Sequence, residues 1–263
     1  MVETGFEKAA AHLRRSRIGG RLISLESVSS TNDVAWEEAE KGAPEGTVVV
    51  AEEQTAGRGR MSRRWHSPPG LGVWMSVVLR PEIGPETAPG LTLCASVAVA
   101  KAVRSLHPVT VSLKWPNDVT VEGRKLCGIL TEMKASRGKV DFVVCGVGMN
   151  VNQAREDFPA EIREKATSLM IATGKTADRA KLLVATLEHF EKQYSMFCCE
   201  GIASCLGEWR SMCPFFGKRV RVKGRREAVE GMFFNVDDNG AIVLRLDCGV
   251  HRSFLAGDVE FVL

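Results

Sequence analysis

Between Glu52 and Ser67 the sequence reads Glu-Glu-Gln-Thr-Ala-Gly-Arg-Gly-Arg-Met-Ser-Arg-Arg-Trp-His-Ser, which sets Arg58, Arg60, Arg63 and Arg64 around Gly57 and Gly59. Glycine allows backbone conformations closed to other residues and a close approach to a ligand, while guanidinium groups are planar, permanently charged donors suited to phosphate. Cations so close together should repel one another until an anion joins them. Trp65 ends the segment with a large flat face, and Ser67-Pro68-Pro69-Gly70 marks a turn. Taken alone, the loop also fits a solvated basic surface or a nucleic-acid contact. Two common phosphate motifs are not met: Ser62 stands where a dinucleotide fingerprint needs its third small residue, and no lysine occupies the Walker position.

Other polar groups gather at predicted element ends. Ser29-Ser30-Thr31-Asn32-Asp33 precedes a helix predicted from Val34 to Lys41, and because one residue suffices for an N-cap, the cluster reads equally as cap and ligand site. Pro116-Asn117-Asp118 places an amide and a carboxylate at the mouth of a strand, and Lys125 starts the returning strand of a hairpin over Glu122-Gly123-Arg124. Gly146 and Gly148 follow the apolar run from Val140 to Cys145 and predict a sharp bend, leaving Asn150 and Asn152 at the strand ends. Gly174-Lys175-Thr176 is no phosphate loop, since Leu169 occupies the first glycine position and no strand precedes it.

Elements must position these groups. Helical spacing is predicted from Phe6 to Arg17, Leu91 to Leu106, Ala177 to Tyr194 and Ile202 to Met212; strands are predicted from Arg21 to Val28, Thr47 to Ala51, Gly72 to Arg80, Val109 to Trp115, Val119 to Val121 and Leu126 to Met133. After Phe216 short alternating strands, Arg219 to Val222, Glu230 to Asn235, Ala241 to Leu246 and Val259 to Leu263, alternate with glycine turns. The fold class is therefore α+β, with a mixed sheet flanked by helices over residues 1–213 and a small β-barrel domain over residues 214–263.

Composition sets bounds. Of 263 residues, 44% are hydrophobic and 25% charged, as in a globular protein and unlike a membrane-spanning one, and a net charge of +3 is far from the footprint of a dedicated nucleic-acid binder. Eight scattered cysteines without metal-ligand spacing fit the reduced, buried thiols of a cytosolic protein.

In chain order, Ser30-Thr31-Asn32, Gln54-x-x-Gly57-Arg58-Gly59-Arg60, Trp65, Lys114-Trp115-Pro116-Asn117-Asp118, Lys125-Leu126-x-Gly128-Ile129 and Gly146-x-Gly148-Met149-Asn150 resemble the signatures of bacterial biotin protein ligases. The resemblance runs from about Leu22 to the carboxyl terminus and implies a class II synthetase-like catalytic domain followed by a Src-homology-3-like barrel. It implies ATP-dependent activation of biotin as biotinyl-5'-adenylate, with Mg²⁺, and transfer to one lysine of a biotin carboxyl carrier protein such as an acetyl-CoA carboxylase subunit. Implied biotin-binding residues are Ser30, Thr31, Asn32, Gln54, Gly57, Arg58, Gly59, Arg60 and Lys125; implied nucleotide-binding residues are Arg58, Arg60, Trp65, Asn117, Asp118, Lys125 and Asn150. Arg58, Lys125 and Asp118 take the catalytic roles, and Asn117 and Asp118 the Mg²⁺. The same likeness implies a cytoplasmic enzyme without membrane or DNA contacts and is compatible with a homodimer.

Two departures from the family pattern stand out. Ser62 replaces the usual glycine of the arginine loop, which should reduce the loop's freedom if the backbone angles suit a side chain. Only a short helix precedes Leu22, whereas a winged-helix repressor domain needs roughly 50 residues or more, so a monofunctional ligase is expected. Lipoate and octanoate ligases of the same superfamily are the alternative enzyme reading, although their loop does not read Gly-Arg-Gly-Arg-x-x-x-x-Trp. A nucleic-acid-binding module is the alternative from another class; it leaves Lys114 to Asp118 and Gly146 to Asn150 without a purpose.

Overall fold

The computed structural model describes residues 5–224 and 227–262. Helix α1 (Glu7–Leu13) leads into strand β1 (Leu22–Val28), helix α2 (Thr31–Glu40), strands β2 (Val48–Gln54) and β3 (Gly72–Leu79), and the long helix α3 (Gly90–Leu106). Strands β4 (Val111–Lys114), β5 (Asp118–Val121), β6 (Arg124–Ser136) and β7 (Lys139–Asn150) follow, then helices α4 (Leu169–Thr173), α5 (Arg179–Glu200) and α6 (Ala203–Met212). The chain closes with β8 (Arg219–Lys223), β9 (Ala228–Val236), β10 (Ile242–Arg245), β11 (His251–Phe254) and β12 (Asp258–Phe261).

The first seven strands form one sheet in the order β1-β2-β3-β7-β6-β5-β4; β1 and β2 pair in parallel and the other neighbours antiparallel. Alternation along the strands divides their apolar side chains between two faces. Val48, Val50, Val77, Leu79, Val143 and Cys145 join the main core with α3, α5 and α6, while Val49, Val78 and Val144 join Ala35, Ala39 and Phe142 beneath α2. Because both faces are covered, β3 is buried along its whole length. The last five strands make an antiparallel sheet, β11-β10-β9-β8-β12, whose Val220, Phe233, Ile242, Leu244 and Val259 belong to the same main core. Buried Trp115 stands at the join and donates its indole N–H to Gly240 O at 2.8 Å.

Several boundaries differ from expectation for physical reasons. Helix α1 stops at Leu13, because Phe6, Ala9 and Leu13 complete its buried stripe and nothing apolar extends it toward Arg17. Helix α2 starts at Thr31, since Ser30 O accepts from the N–H groups of Asp33 and Val34 and the polar cluster itself winds into the first turn. Gly146 and Gly148 do not bend the chain; β7 runs through them, paired with β3 and β6. Gly174, at φ 71°, caps the short helix α4, which accounts for the apparent phosphate-loop sequence. The hairpin over residues 122–123 is a tight turn with Glu122 at φ 52° and Gly123 at φ 76°. In the small sheet β11 is an additional strand, hidden in the sequence because His251, Arg252 and Ser253 are all exposed and show no alternation. The strand expected to run to Leu263 ends at Phe261, and Leu263 lies outside the described residues.

Candidate active site

The carboxyl ends of β1, β2 and β7 and the amino ends of β3 and β6 gather on one edge of the large sheet, and loops leaving them enclose a cavity of about 640 Å³. Ser30, Thr31, Asn32, Gln54, Arg58, Gly59, Arg60, Trp65, Asn117, Asp118, Lys125 and Asn150 all line it. Gly57 stands behind the wall: a Cβ there would fall 2.6 Å from Trp65 O and 2.9 Å from Ser67 Oγ, so only glycine lets the two limbs of the loop close.

One wall is a buried polar chain. Gln54 Oε1 accepts from Thr31 N at 2.9 Å, and Gln54 Nε2 donates to Ser67 Oγ at 2.8 Å. Ser76 Oγ lies 2.8 Å from Thr31 Oγ1 and 2.6 Å from Asn32 Oδ1. Asn32 Nδ2 donates to Glu132 Oε2 at 2.7 Å and to Leu130 O at 3.3 Å. The Ser30 hydroxyl caps no backbone N–H of α2, so the expected N-cap is made by its carbonyl alone. Gly146 is required here because a Cβ would come within 2.1 Å of Asn32 Oδ1.

The arginine loop is a small hairpin in which Gly59 N donates to Arg63 O and Trp65 N to Gly57 O, at 2.7 and 2.8 Å. Its guanidinium groups do not stand in unrelieved repulsion, since each has a partner. Arg58 makes a bidentate pair with Glu132 at 2.8 and 2.9 Å and reaches Asp33 Oδ1 at 2.7 Å. Arg60 donates to Asn117 Oδ1 at 3.2 Å and to Gly257 O at 3.4 Å, Arg63 pairs with Asp258, and Arg64 donates to Thr55 O at 3.2 Å. Burial holds the Arg60 guanidinium below its usual value, against the pull of Asp258 and Asp118. A partly desolvated cation gains most from an anionic ligand.

Opposite the loop, Lys125 Nζ lies 2.6 Å from Asp118 Oδ1 and 5.3 Å from the centre of the Trp65 ring. That carboxylate oxygen is buried and makes no aligned hydrogen bond, so the contact is an ion pair. Trp65 lies against Gly128 and Gly148, where a Cβ would approach the indole to 3.0 and 2.3 Å, and its buried Nε1 has no acceptor among the described residues. The donor is available to a ligand. Asn150 is buried, with Nδ2 donating to Thr167 O at 3.0 Å and Oδ1 accepting from Gln153 at 3.2 Å; it pins the segment whose Lys165 O and Thr167 N–H hold the Lys125 backbone. Burial pushes the Cys145 thiol up to about 12 and the Cys127 thiol higher still, leaving neither as a thiolate nucleophile near neutral pH.

Sequence reasoning did not name Ser76, Glu132 or Asp258, and it placed Asp33 only in the polar cluster before a predicted helix and Ser67 only in a turn. Ser76 had a signal, a lone hydroxyl in the apolar strand from Val73 to Leu79. Glu132 and Asp258 had none, because acidic residues on a strand ordinarily face water.

A sheet-edge cavity that joins a buried amide and hydroxyl wall to a desolvated arginine and a paired lysine defines a site for a small polar molecule carrying or meeting an anion. Residues 24–150 match the model of the biotin/lipoate A/B protein ligase family, and residues 215–262 match the biotin protein ligase C terminal domain. The bifunctional ligase/repressor BirA of Bacillus subtilis is 42% identical over 248 residues, 94% of this chain and 76% of that protein. The biotin--[acetyl-CoA-carboxylase] ligase of Mycobacterium tuberculosis is 36% identical over 247 residues, 91% and 88% of the two chains. The solved structure of biotin protein ligase from Aquifex aeolicus in complex with biotin and ATP superposes with a TM-score of 0.78 at 30% identity, covering 91% of this chain and 97% of that one. The chain belongs to the biotin protein ligase family.

Proposed function

We infer that the protein joins biotin to ATP, forming biotinyl-5'-adenylate and pyrophosphate, and then passes the biotinyl group to a lysine of a biotin carboxyl carrier domain. The observation that carries this reading is the single cavity in which the Thr31, Asn32 and Gln54 wall faces Arg60 and Lys125. Amides and hydroxyls of that wall suit a cyclic urea, which offers one carbonyl acceptor flanked by two N–H donors. The biotin carboxylate attacks the α-phosphorus and pyrophosphate leaves; two anions must meet, so Arg60 and Lys125 are assigned to the charge that builds on the phosphoryl oxygens. Arg58, held by two carboxylates, is assigned to binding through placement of the loop. Trp65 Nε1 is a donor for the adenylate, and Asn117, Asp118 and Asn150 are assigned to the nucleotide side, Asn150 by positioning Lys125.

Among the described residues no three or more His, Cys, Asp or Glu side chains gather to hold a metal. Asn117 Oδ1 accepts from Arg60 and Asp118 pairs with Lys125, so Mg²⁺ would enter on the phosphates of ATP, with Asp118 the carboxylate at hand. In the second step the carrier lysine attacks the carbonyl of the mixed anhydride and AMP leaves. Beyond Gly128 the side of β6 away from β7 has no strand beside it among the described residues, and Met61, Met133 and Leu255 are exposed around a neighbouring hollow of about 430 Å³, which supports this face for the acceptor. No helix among the described residues is long and apolar enough to cross a membrane. A cytoplasmic location, a homodimer, the absence of DNA binding and a domain division between residues 213 and 214 complete the proposal. Pyrophosphate release from ATP with biotin, set against lipoate and octanoate, tests it.

A further inference from the structure

Glu132 takes no part in the steps above, yet it sits at the charged end of the polar wall. Its carboxylate receives the bidentate contact from Arg58 and the Asn32 amide, and its side chain is 28% exposed. An ionised carboxylate can only accept hydrogen bonds. Asn32 must therefore turn its NH₂ toward Glu132, which points Oδ1 at Ser76 Oγ, 2.6 Å away. An amide oxygen also only accepts, so the single Ser76 proton goes to Asn32, and Ser76 cannot donate to Thr31 as well. The 2.8 Å contact between Ser76 Oγ and Thr31 Oγ1 then needs the Thr31 proton, although Gln54 Oε1 lies within 3.1 Å of the same hydroxyl. Gln54 Oε1 is left to the Thr31 N–H, and Gln54 presents its NH₂ to Ser67. Glu132, at 2.7 Å and with the Leu130 carbonyl at 3.3 Å beside it, thus sets the direction of Asn32, Ser76 and Thr31, while the Thr31 N–H holds Gln54 Oε1 whichever way the hydroxyls point.

We propose that Glu132 is a positioning residue that fixes the donor and acceptor sense of the chain Asn32, Ser76 and Thr31, and through it the preference of the pocket for a cyclic urea. The inference rests on the assignment of this wall to biotin's ureido ring. With Glu132→Gln the facing group can offer either an oxygen or an NH₂, the longer Leu130 O contact alone still favours the present Asn32 orientation, and Asn32, Ser76 and Thr31 can reverse, with the Thr31 hydroxyl turning to Gln54 Oε1, to suit a ligand of opposite polarity. Glu132→Asp keeps an acceptor-only group and should keep the direction. A site of fixed polarity rejects an analogue that shows a donor where an acceptor is expected.

Calorimetric titration of the full-length protein with biotin and with 2-iminobiotin, whose protonated guanidine bears N–H groups where biotin bears the carbonyl, reads this out. Expected for E132Q is a Kd for biotin raised about tenfold, with the ratio of 2-iminobiotin to biotin Kd falling about tenfold, while E132D holds the ratio within about threefold of wild type. Removal of a negative charge alone would weaken the cationic analogue and move the ratio the other way. An unchanged or larger ratio in E132Q overturns the proposal, as does a ratio in E132D that falls as far as in E132Q. Should E132Q not fold, E132D decides by itself: a retained ratio supports the proposal and a lost one overturns it. Failure of the wild-type protein to bind biotin would overturn the functional reading and this inference with it, whereas biotin binding with an unaltered E132Q ratio would leave the functional reading standing.

Discussion

Lys125 is held from several sides, by Asp118 Oδ1 at 2.6 Å, by the Trp65 ring and by backbone contacts with Lys165 and Thr167. Such a cation is fixed before the reaction begins, and loss of one fixed donor to a transition state typically costs roughly 10² in rate. Lys125→Ala should therefore cut single-turnover adenylate formation by roughly 10² or more in a protein that still folds, with a lower thermal midpoint because Asp118 loses the cation beside its buried oxygen. Adenylation at the wild-type rate in the folded variant would remove Lys125 from the chemistry. Sequence reading singled out Lys125, Asp118 and Trp65, which line one cavity in the structure. It did not recover their pairing: the arginines were legible as mutually repelling charges, and the carboxylates that relieve them, Asp33, Glu132 and Asp258, come from segments up to 195 positions away along the chain.

At the scale of elements, the arginine loop turns through two left-handed residues, Met61 at φ 56° and Ser62 at φ 59°. The expectation that Ser62 would stiffen the loop required backbone angles comfortable for a side chain, and these angles favour glycine. Ser62→Gly should match or exceed wild-type stability, and Ser62→Val should lose about 1 kcal/mol or more in urea denaturation. Equal stability of all three would show that residue 62 does not hold a positive φ. Near the start of β2, Glu45 ties three segments of the chain: it accepts from Tyr194 Oη at 2.6 Å, from Arg80 N at 2.9 Å and from Arg17 Nε at 3.0 Å. Burial opposes its ionisation, but these hydrogen bonds outweigh burial and hold its carboxyl below the ordinary range. A depressed carboxyl stabilises the fold above its unfolded value and loses that contribution as pH falls through the folded one. Glu45→Gln should thus cost about 1–3 kcal/mol at neutral pH, with the gap to wild type closing as the carboxylate range is crossed downward. A gap independent of pH would show that the charge of Glu45 does not contribute. Strand periodicity was legible because β3 and β7 alternate between two apolar faces; the passage of β7 through Gly146 and Gly148 was not, since those glycines answer to Asn32 and Trp65 on remote segments.

Across the whole molecule, the small sheet and the catalytic sheet share one apolar core, and Trp115, Arg60 and Arg63 cross between them. Calorimetry should show a single thermal transition, because neither part keeps its buried face covered without the other. Two well-separated transitions would show independent units. The change of texture after Phe216 announced the small sheet, but its contribution to the site, Gly257 and Asp258 on the arginine loop, depends on packing between distant segments and had no local signature. The most direct measurement of the central claim is pyrophosphate release by the purified protein with ATP and Mg²⁺ in the presence of biotin, lipoate or octanoate. Release with biotin alone, followed by label transfer from the adenylate to the lysine of a purified biotin carboxyl carrier domain, is the predicted result. Release with lipoate or octanoate and none with biotin would contradict it.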